Sequence, residues 1–331
     1  MRVGRLGGMA AMLAAVLVLA SVTSAQITIE TVSVGNPGNP KDPATGNLYG
    51  QVNYAYNIGK YEVTAGQYTA FLNAVAKTDT YGLYNTNMSS TTSGSGIVRS
   101  GSPGSYSYSV HPAFVNRPVN LVSFGDAMRF ANWLHNGQPT GAQNASTTED
   151  GAYFVNGATT NAALSAVTRK AGWTWAVTSE DEWYKAAYYN PAPSSYYLYP
   201  TSSNTAPGRD LADVSGNNAN IYGIPYPIQS PYYTTIVGEF QNSDSPYGTF
   251  DQGGNVWEWN EAVSGSSRGV RGGSVDFLDG YLQSSHRFNS VPTSEGSDIG
   301  FRVSQVPEPA SIAVLALGGV AMLVRRRGAG R

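Results

Sequence analysis

The sequence predicts an α+β domain with little regular structure, on three observations. Convincing capped, amphipathic helix starts occur at only three places. Short β-prone runs flank them. Long polar stretches rich in Ser, Gly, Asn and Tyr fill the space between.

The elements follow in chain order. Residues 1–25 read as a secretory signal peptide. Arg2 and Arg5 form its basic start, residues 9–20 are apolar, and Thr23-Ser24-Ala25 offers small residues for cleavage before Gln26. The first helix is expected after Thr64, whose hydroxyl and Gln67 make a capping-box pattern; Tyr68, Phe71, Leu72 and Val75 then recur at helical spacing. A second is expected after Ser123, with Asp126 in its first turn, Ala127, Phe130, Ala131 and Leu134 as its apolar stripe, and Gly137 as its stop. A third begins at Ser179, paired with Glu182. The acids Glu180, Asp181 and Glu182 suit the positive helix N-terminus, and a catalytic carboxylate pair is the alternative use. Residues 232–240 and 269–275 read as β-prone, whereas 78–109, 136–168 and 188–230 read as loops.

Composition excludes several chemistries. The chain of 331 residues has no cysteine, so a disulfide framework, a thiolate metal site and a cysteine nucleophile are ruled out. A formal net charge of −2 leaves no global electrostatic footprint for nucleic acid. Charged residues make up 13%, and the 41% hydrophobic content supports a buried core rather than disorder. His111, His135 and His286 show no metal-ligand spacing, and a lone histidine is more often structural. Gly265-Ser266-Ser267-Arg268-Gly269 fits the nucleophile-elbow pattern, but no helix-forming run follows it, so it reads as a chance match. No dinucleotide fingerprint, P-loop or zinc-protease helix occurs.

The C-terminus runs Val306-Pro307-Glu308-Pro309-Ala310, then an apolar stretch 312–324, then Arg325-Arg326-Arg327. This order resembles the PEP-CTERM sorting signal of exported bacterial proteins. It implies processing by an exosortase-type enzyme, with export to the cell envelope or outside and only a transient hold on the membrane through the C-terminal helix. The arginines would stay on the cytoplasmic side. A plain membrane anchor is the alternative at either end. The expected organisation is therefore 1–25 signal peptide, 26–305 domain and 306–331 sorting segment.

Within that domain, Glu62-Val63-Thr64-Ala65-Gly66-Gln67-Tyr68, Arg117-Pro118-Val119-Asn120-Leu121-Val122-Ser123 and Thr178-Ser179-Glu180-Asp181-Glu182-Trp183 occur in order. Gly254-Asn255-Val256-Trp257-Glu258-Trp259, Arg271-Gly272-Gly273-Ser274 and Ile299-Gly300-Phe301-Arg302 follow. Together these blocks resemble the formylglycine-generating enzyme domain, also called the sulfatase-modifying factor domain. The resemblance implies a C-type-lectin-like variant of the α+β class, with much irregular loop structure.

It also implies sites. Trp257 and Trp259 alternate with Glu258, so both indoles can face one side, and a buried Glu258 then needs a partner. A cation is a natural one, because calcium accepts carboxylate and backbone oxygens together. By the resemblance, Asp251 and Glu258 would supply side-chain oxygens and Gly254 and Val256 carbonyls to a structural calcium. Asn220 and Ile221 would contribute to a second calcium. The surrounding run 213–221 is oxygen-rich but lacks the closing Glu of an EF-hand. Arg287 and Arg302 match family arginines that pair buried acids or line the cleft.

The family's enzyme binds copper(I) through two cysteines, for which soft thiolates are suited. Here Phe277 and Leu282 lie roughly where the thiols would be, so no copper and no catalytic residue are expected. The expected function is an exported binding or display module, with extracellular polysaccharide or protein as partner. Tyrosine-rich loops with small polar residues suit that role. An oxidase acting on sulfatases by a non-cysteine mechanism, and a passive matrix component, are the alternatives.

Overall fold

The computed structural model describes residues 26–306. The expected signal peptide lies outside the described residues, as does the expected sorting segment apart from Val306. The chain enters through β1 (Thr31–Val34) and β2 (Tyr56–Gly59), then turns into α1 (Ala65–Val75). The hairpin β3 (Ile97–Ser100) and β4 (Ser107–Val110) precedes α2 (Phe124–His135) and the short α3 (Asn161–Ala166). Next come β5 (Trp175–Val177), α4 (Glu180–Tyr188) and the two-residue strands β6 (Tyr189–Asn190) and β7 (Ser195–Tyr196). After a long irregular stretch follow β8 (Trp257–Ser264), β9 (Ser267–Arg271), β10 (Phe288–Ser290), β11 (Ile299–Phe301) and β12 (Val303–Gln305).

The three expected helices begin where their caps place them. Thr64, Ser123 and Ser179 each accept from the backbone N–H three residues on, and Gln67, Asp126 and Glu182 reach back to the cap N–H. The added α3 sits in a stretch read as loop. It is short, and Leu164 is its buried residue, so no stripe announced it.

One sheet has the order β1-β2-β12-β5, antiparallel throughout, so the last strand lies inside the sheet that the first strands began. A second four-stranded sheet has the order β10-β9-β8-β11, with β11 parallel to β8, and β3-β4 and β6-β7 form two-stranded sheets. The main core lies where α1 and α2 meet these strands. Phe130 of α2 stacks edge-on against Phe71 of α1 at 5.3 Å and Phe301 of β11 at 5.4 Å. All of α2 from Phe124 to Leu134 is buried, including Arg129. Its guanidinium makes two bonds to Glu149, at 2.7 and 3.0 Å, and so ties the irregular chain after α2 back to the helix.

The run 232–240 is not a strand. Tyr233 has φ +52°, and the backbone donors of Thr235, Ile236 and Gly238 go to the side chains of Asn255, Glu239 and Asp251. Side-chain acceptors thus take the N–H groups that a ladder would need. The β-prone run 269–275 is half correct, since β9 ends at Arg271 and two glycines with positive φ follow.

Candidate functional site

Strand β8 is the spine of the site. Its alternation buries Trp259 toward α2, where the indole N–H donates to the Val122 carbonyl at 2.9 Å. Glu258 points the other way and is fully buried. The charge that the sequence reading assigned to a cation has a protein partner. Arg302 Nε donates to Glu258 Oε2 and Arg302 Nη2 to Oε1, both at 2.6 Å, and Trp183 Nε1 adds a bond to Oε2 at 2.7 Å. Arg302 spends its other donors on the Gly59, Lys60 and Phe250 carbonyls. Of its two expected roles, Arg302 takes the pairing one.

The other expected metal residues gather around this pair. Asn220 and Gly254 form an isolated bridge, and the Asn255 N–H donates to the Asn220 carbonyl at 2.8 Å. The two calcium sets, read as separate, therefore touch. Gly254 has φ +84°, and a Cβ there would lie 2.3 Å from the Asn220 carbonyl oxygen, so only glycine permits the approach. Asp251 is half-buried, and its Oδ2 accepts from Gly238 N–H at 2.5 Å. Burial pushes its carboxyl up to about 6. Nearby Glu62 accepts from Asn255 Nδ2 at 3.1 Å through Oε1, while its Oε2 is buried without a partner. Burial, and then Asp251, raise Glu62 well above the usual carboxylate range. Asn220 Oδ1 is likewise buried and unpartnered.

These residues fit calcium in part. Asp251 and Asn220 offer hard oxygens, and Asn220 Oδ1 is unpartnered, but both Glu258 oxygens are already engaged by Arg302 and Trp183. Ile221 and Val256 bury their side chains, Ile221 in a cluster with Tyr199, Ala219 and Leu282. The oxygen-rich run at 213–221 folds as turns closed by its own side chains, with Asp213 Oδ1 accepting from Ser215 N–H at 2.9 Å.

The acids opening α4 are all structural. Glu180 Oε1 holds both Arg271 and Arg287 at 2.8 Å. Asp181 accepts from Gly50 N–H at 2.7 Å, and Glu182 holds Arg169 with bonds of 2.7 and 3.0 Å. Three charges read as an ordinary helix start are thus also ties to distant segments. Gly265-Ser266 is the turn of the β8 to β9 hairpin, which confirms that the elbow pattern is a coincidence of composition.

Phe277 and Leu282 have different surroundings. Leu282 is fully buried with Tyr199, Ala219 and Ile221. Phe277 packs on Trp257 at 5.2 Å and on Tyr281 at 4.8 Å. Trp257 also meets His286 and Phe288, each at 5.9 Å, and His286 stacks on Tyr281 at 4.6 Å. The result is an aromatic surface with a buried floor, Trp257, and an open rim. Tyr281 is 37% exposed and Phe288 55%. Within it His286 Nε2 is buried without a partner, and burial followed by the Arg271 charge holds its pKa below the ordinary value. The other histidines are structural: His111 Nδ1 caps a 3-10 turn, and His135 Nδ1 accepts from Thr174 N–H at 3.1 Å. Among the described residues no cluster of three His, Cys, Asp or Glu side chains could hold a metal by side chains alone.

The sequence reading missed this surface as a unit. Its members were visible singly, but a ring of residues from 257 to 288 closes only when β8, β10 and the turn at 279–282 pack together.

A family model described as the sulfatase-modifying factor enzyme 1-like domain matches residues 37–306, and one for the PEP-CTERM protein-sorting motif matches residues 305–327. Among solved structures, CarF is similar over 85% of this chain and 99% of its own, at 20% identity and a TM-score of 0.52. A variable protein of Treponema denticola is similar over 85% of this chain and 98% of its own, at 20% identity and a TM-score of 0.51. At such identities the likeness establishes the fold, the C-type-lectin-like variant that the sequence blocks implied. No curated protein matches the chain.

Proposed function

The chain belongs to the sulfatase-modifying factor enzyme 1-like family and carries a PEP-CTERM sorting motif that directs export to the envelope, and from that premise we propose that it is a surface-binding module rather than an oxidase. One observation carries the reading. Phe277, which with Leu282 lies roughly where the resemblance puts the family's thiols, belongs to a partly exposed aromatic surface with Trp257, Tyr281, His286 and Phe288. Neither side chain can bind copper(I). Exposed aromatic rings rimmed by polar groups are the chemistry of contact rather than of electron transfer.

The reading retains calcium as a structural ion on Asp251, the Gly254 and Val256 carbonyls and Asn220, with Glu258 committed to Arg302. It also retains an exosortase-type enzyme as the processing partner.

The test pairs two measurements on the purified protein. Pull-down with envelope polymer should retain the protein, and Phe288→Ala with Tyr281→Ala should release it. Copper(I) titration and mass spectrometry of a sulfatase-motif peptide should show neither stoichiometric copper nor aldehyde. Aldehyde product would overturn the reading in favour of the oxidase. Absence of any selective retention would favour the passive matrix component.

A further inference from the structure

Beside the aromatic surface lies a cavity of about 270 Å³ that no sequence motif announced. Tyr226, Tyr232 and Tyr233 line one side, Thr92 and Ser93 another, and Asp276 sits at its edge. The volume falls just below the range usual for whole small-molecule sites, about 300–1,000 Å³. It therefore suits one ring of a longer chain better than a complete cofactor.

The lining decides the class. Tyrosine faces carry a negative quadrupole that attracts the weakly positive C–H groups of an apolar ring face. Seryl and threonyl hydroxyls both donate and accept, and a carboxylate accepts twice from adjacent hydroxyls. A ligand that offers an apolar face and many hydroxyls satisfies all three. Among the described residues no lysine or arginine lines the cavity. The neighbouring Arg117 is covered by the Tyr232 ring at 4.4 Å and gives its donors to the Ala113 and Thr234 carbonyls. Asp276 is exposed at the rim, and Asp298 lies close behind Ser274, whose hydroxyl donates to it at 3.0 Å. An anionic ligand would meet negative charge with no cation to receive it.

The cavity is also poised to exchange partners. The Tyr226 hydroxyl reaches Asp276 Oδ1 only at 3.4 Å, a long contact that a ligand hydroxyl can replace. A second group of rings lies alongside, reached through a backbone contact. Tyr233, Tyr226 and Tyr222 follow one another at 5.3 and 5.6 Å, and the Tyr222 N–H donates to the Phe277 carbonyl at 2.9 Å. Phe277 packs on both Tyr281 and Trp257, and Trp257 in turn meets Phe288. At the far end His286 Nε2 and Asn289 Oδ1 are buried polar atoms that lack a partner.

We propose that this strip is the binding site of a neutral polysaccharide, with one pyranose ring in the tyrosine-lined cavity and further rings across Phe277, Tyr281 and Phe288. The proposal rests on the binding-module reading above and names its ligand class.

The experiment uses the full purified chain. Calorimetric titrations with hexamers of β-1,4-linked glucose and of β-1,4-linked N-acetylglucosamine are set beside polygalacturonate, with isolated envelope polymer as a fourth probe. At least one neutral hexamer should bind and should compete with envelope polymer, while polygalacturonate should do neither. Tyr226→Ala and Asp276→Asn, both at the cavity edge, should each weaken that binding about tenfold or more with unchanged melting temperature. Phe288→Ala should weaken the hexamer more than a dimer of the same sugar. The proposal is overturned if envelope polymer binds but neither hexamer does. It is equally overturned if polygalacturonate alone competes, or if the cavity variants bind like wild type; in these cases the binding-module reading survives. Failure of envelope polymer and every other probe to bind sinks both.

Discussion

Glu258 and Arg302 form a fully buried bidentate pair, joined by two bonds of 2.6 Å across a sequence separation of 44 residues. The pair couples β8 to the bend between β11 and β12, and through the Gly59 and Lys60 carbonyls it also holds the end of β2. It is therefore a polar joint between the two four-stranded sheets.

Breaking that joint should be severe. Glu258→Gln removes the carboxylate bonded to the buried Arg302, a change expected to destabilise by about 3–5 kcal/mol. Urea unfolding of the variant should show a lower midpoint at an unchanged slope. A loss below about 1 kcal/mol would mean that the pair is not the joint proposed.

Phe130 should behave as a core keystone. It touches Tyr68, Phe71, Trp133 and Phe301, so Phe130→Ala leaves a cavity bounded by two helices and a strand. The expected loss is about 3–5 kcal/mol by denaturant unfolding. An effect near that of a surface change would show that the site collapses to fill itself.

Stability should carry a signature of Asp126. Burial, and then the Glu295 charge, push this carboxyl up to about 7 from its ordinary 3.8. An acid raised on folding stabilises fully below its unfolded pKa, and that contribution is lost as pH rises through the folded value. The window therefore runs from about pH 4 to about pH 7, with a total of up to about 4 kcal/mol for three pKa units. Asp126→Asn keeps an acceptor for the Ser123 N–H and hydroxyl and removes the titration. Unfolding midpoints across pH 5 to 8 should fall in wild type and fall less steeply in the variant, the remaining slope coming from the raised Asp251 and Glu62. Parallel profiles would remove Asp126 as the source. Glu182 has the opposite sign: its pKa is lowered by Arg169 against the cost of burial, so its contribution disappears as pH falls.

Calcium should be visible as a ligand of the folded state. Chelation should lower the melting temperature of wild type and leave Asp251→Asn unmoved, because an ion that binds only the native form stabilises it by mass action. Equal melting with and without chelator would remove the ion from the reading.

How much of this was legible depends on how far each interaction reaches. The caps at Thr64, Ser123 and Ser179 lie three residues from their partners, and all three helix starts could be placed from sequence. The turn at 232–240 could not, because the side chains that capture its N–H groups include Asn255 and Asp251 from a later segment. The roles of Glu180 and Glu182 were half visible. Their place at a helix N-terminus is local, but Arg271, Arg287 and Arg169 are not.

The sequence by itself determined the family blocks, the sorting segment and the lack of any thiol at the positions of Phe277 and Leu282. These are properties of residue identity and order, and no folding is needed to read them. Only the tertiary structure decided that the partner of Glu258 is Arg302, and that Trp257, Phe277, Tyr281, His286 and Phe288 gather into one aromatic surface. A buried charge must be paired and an exposed ring needs neighbours to become a surface. Both conditions are met through space, by residues that chain order keeps apart.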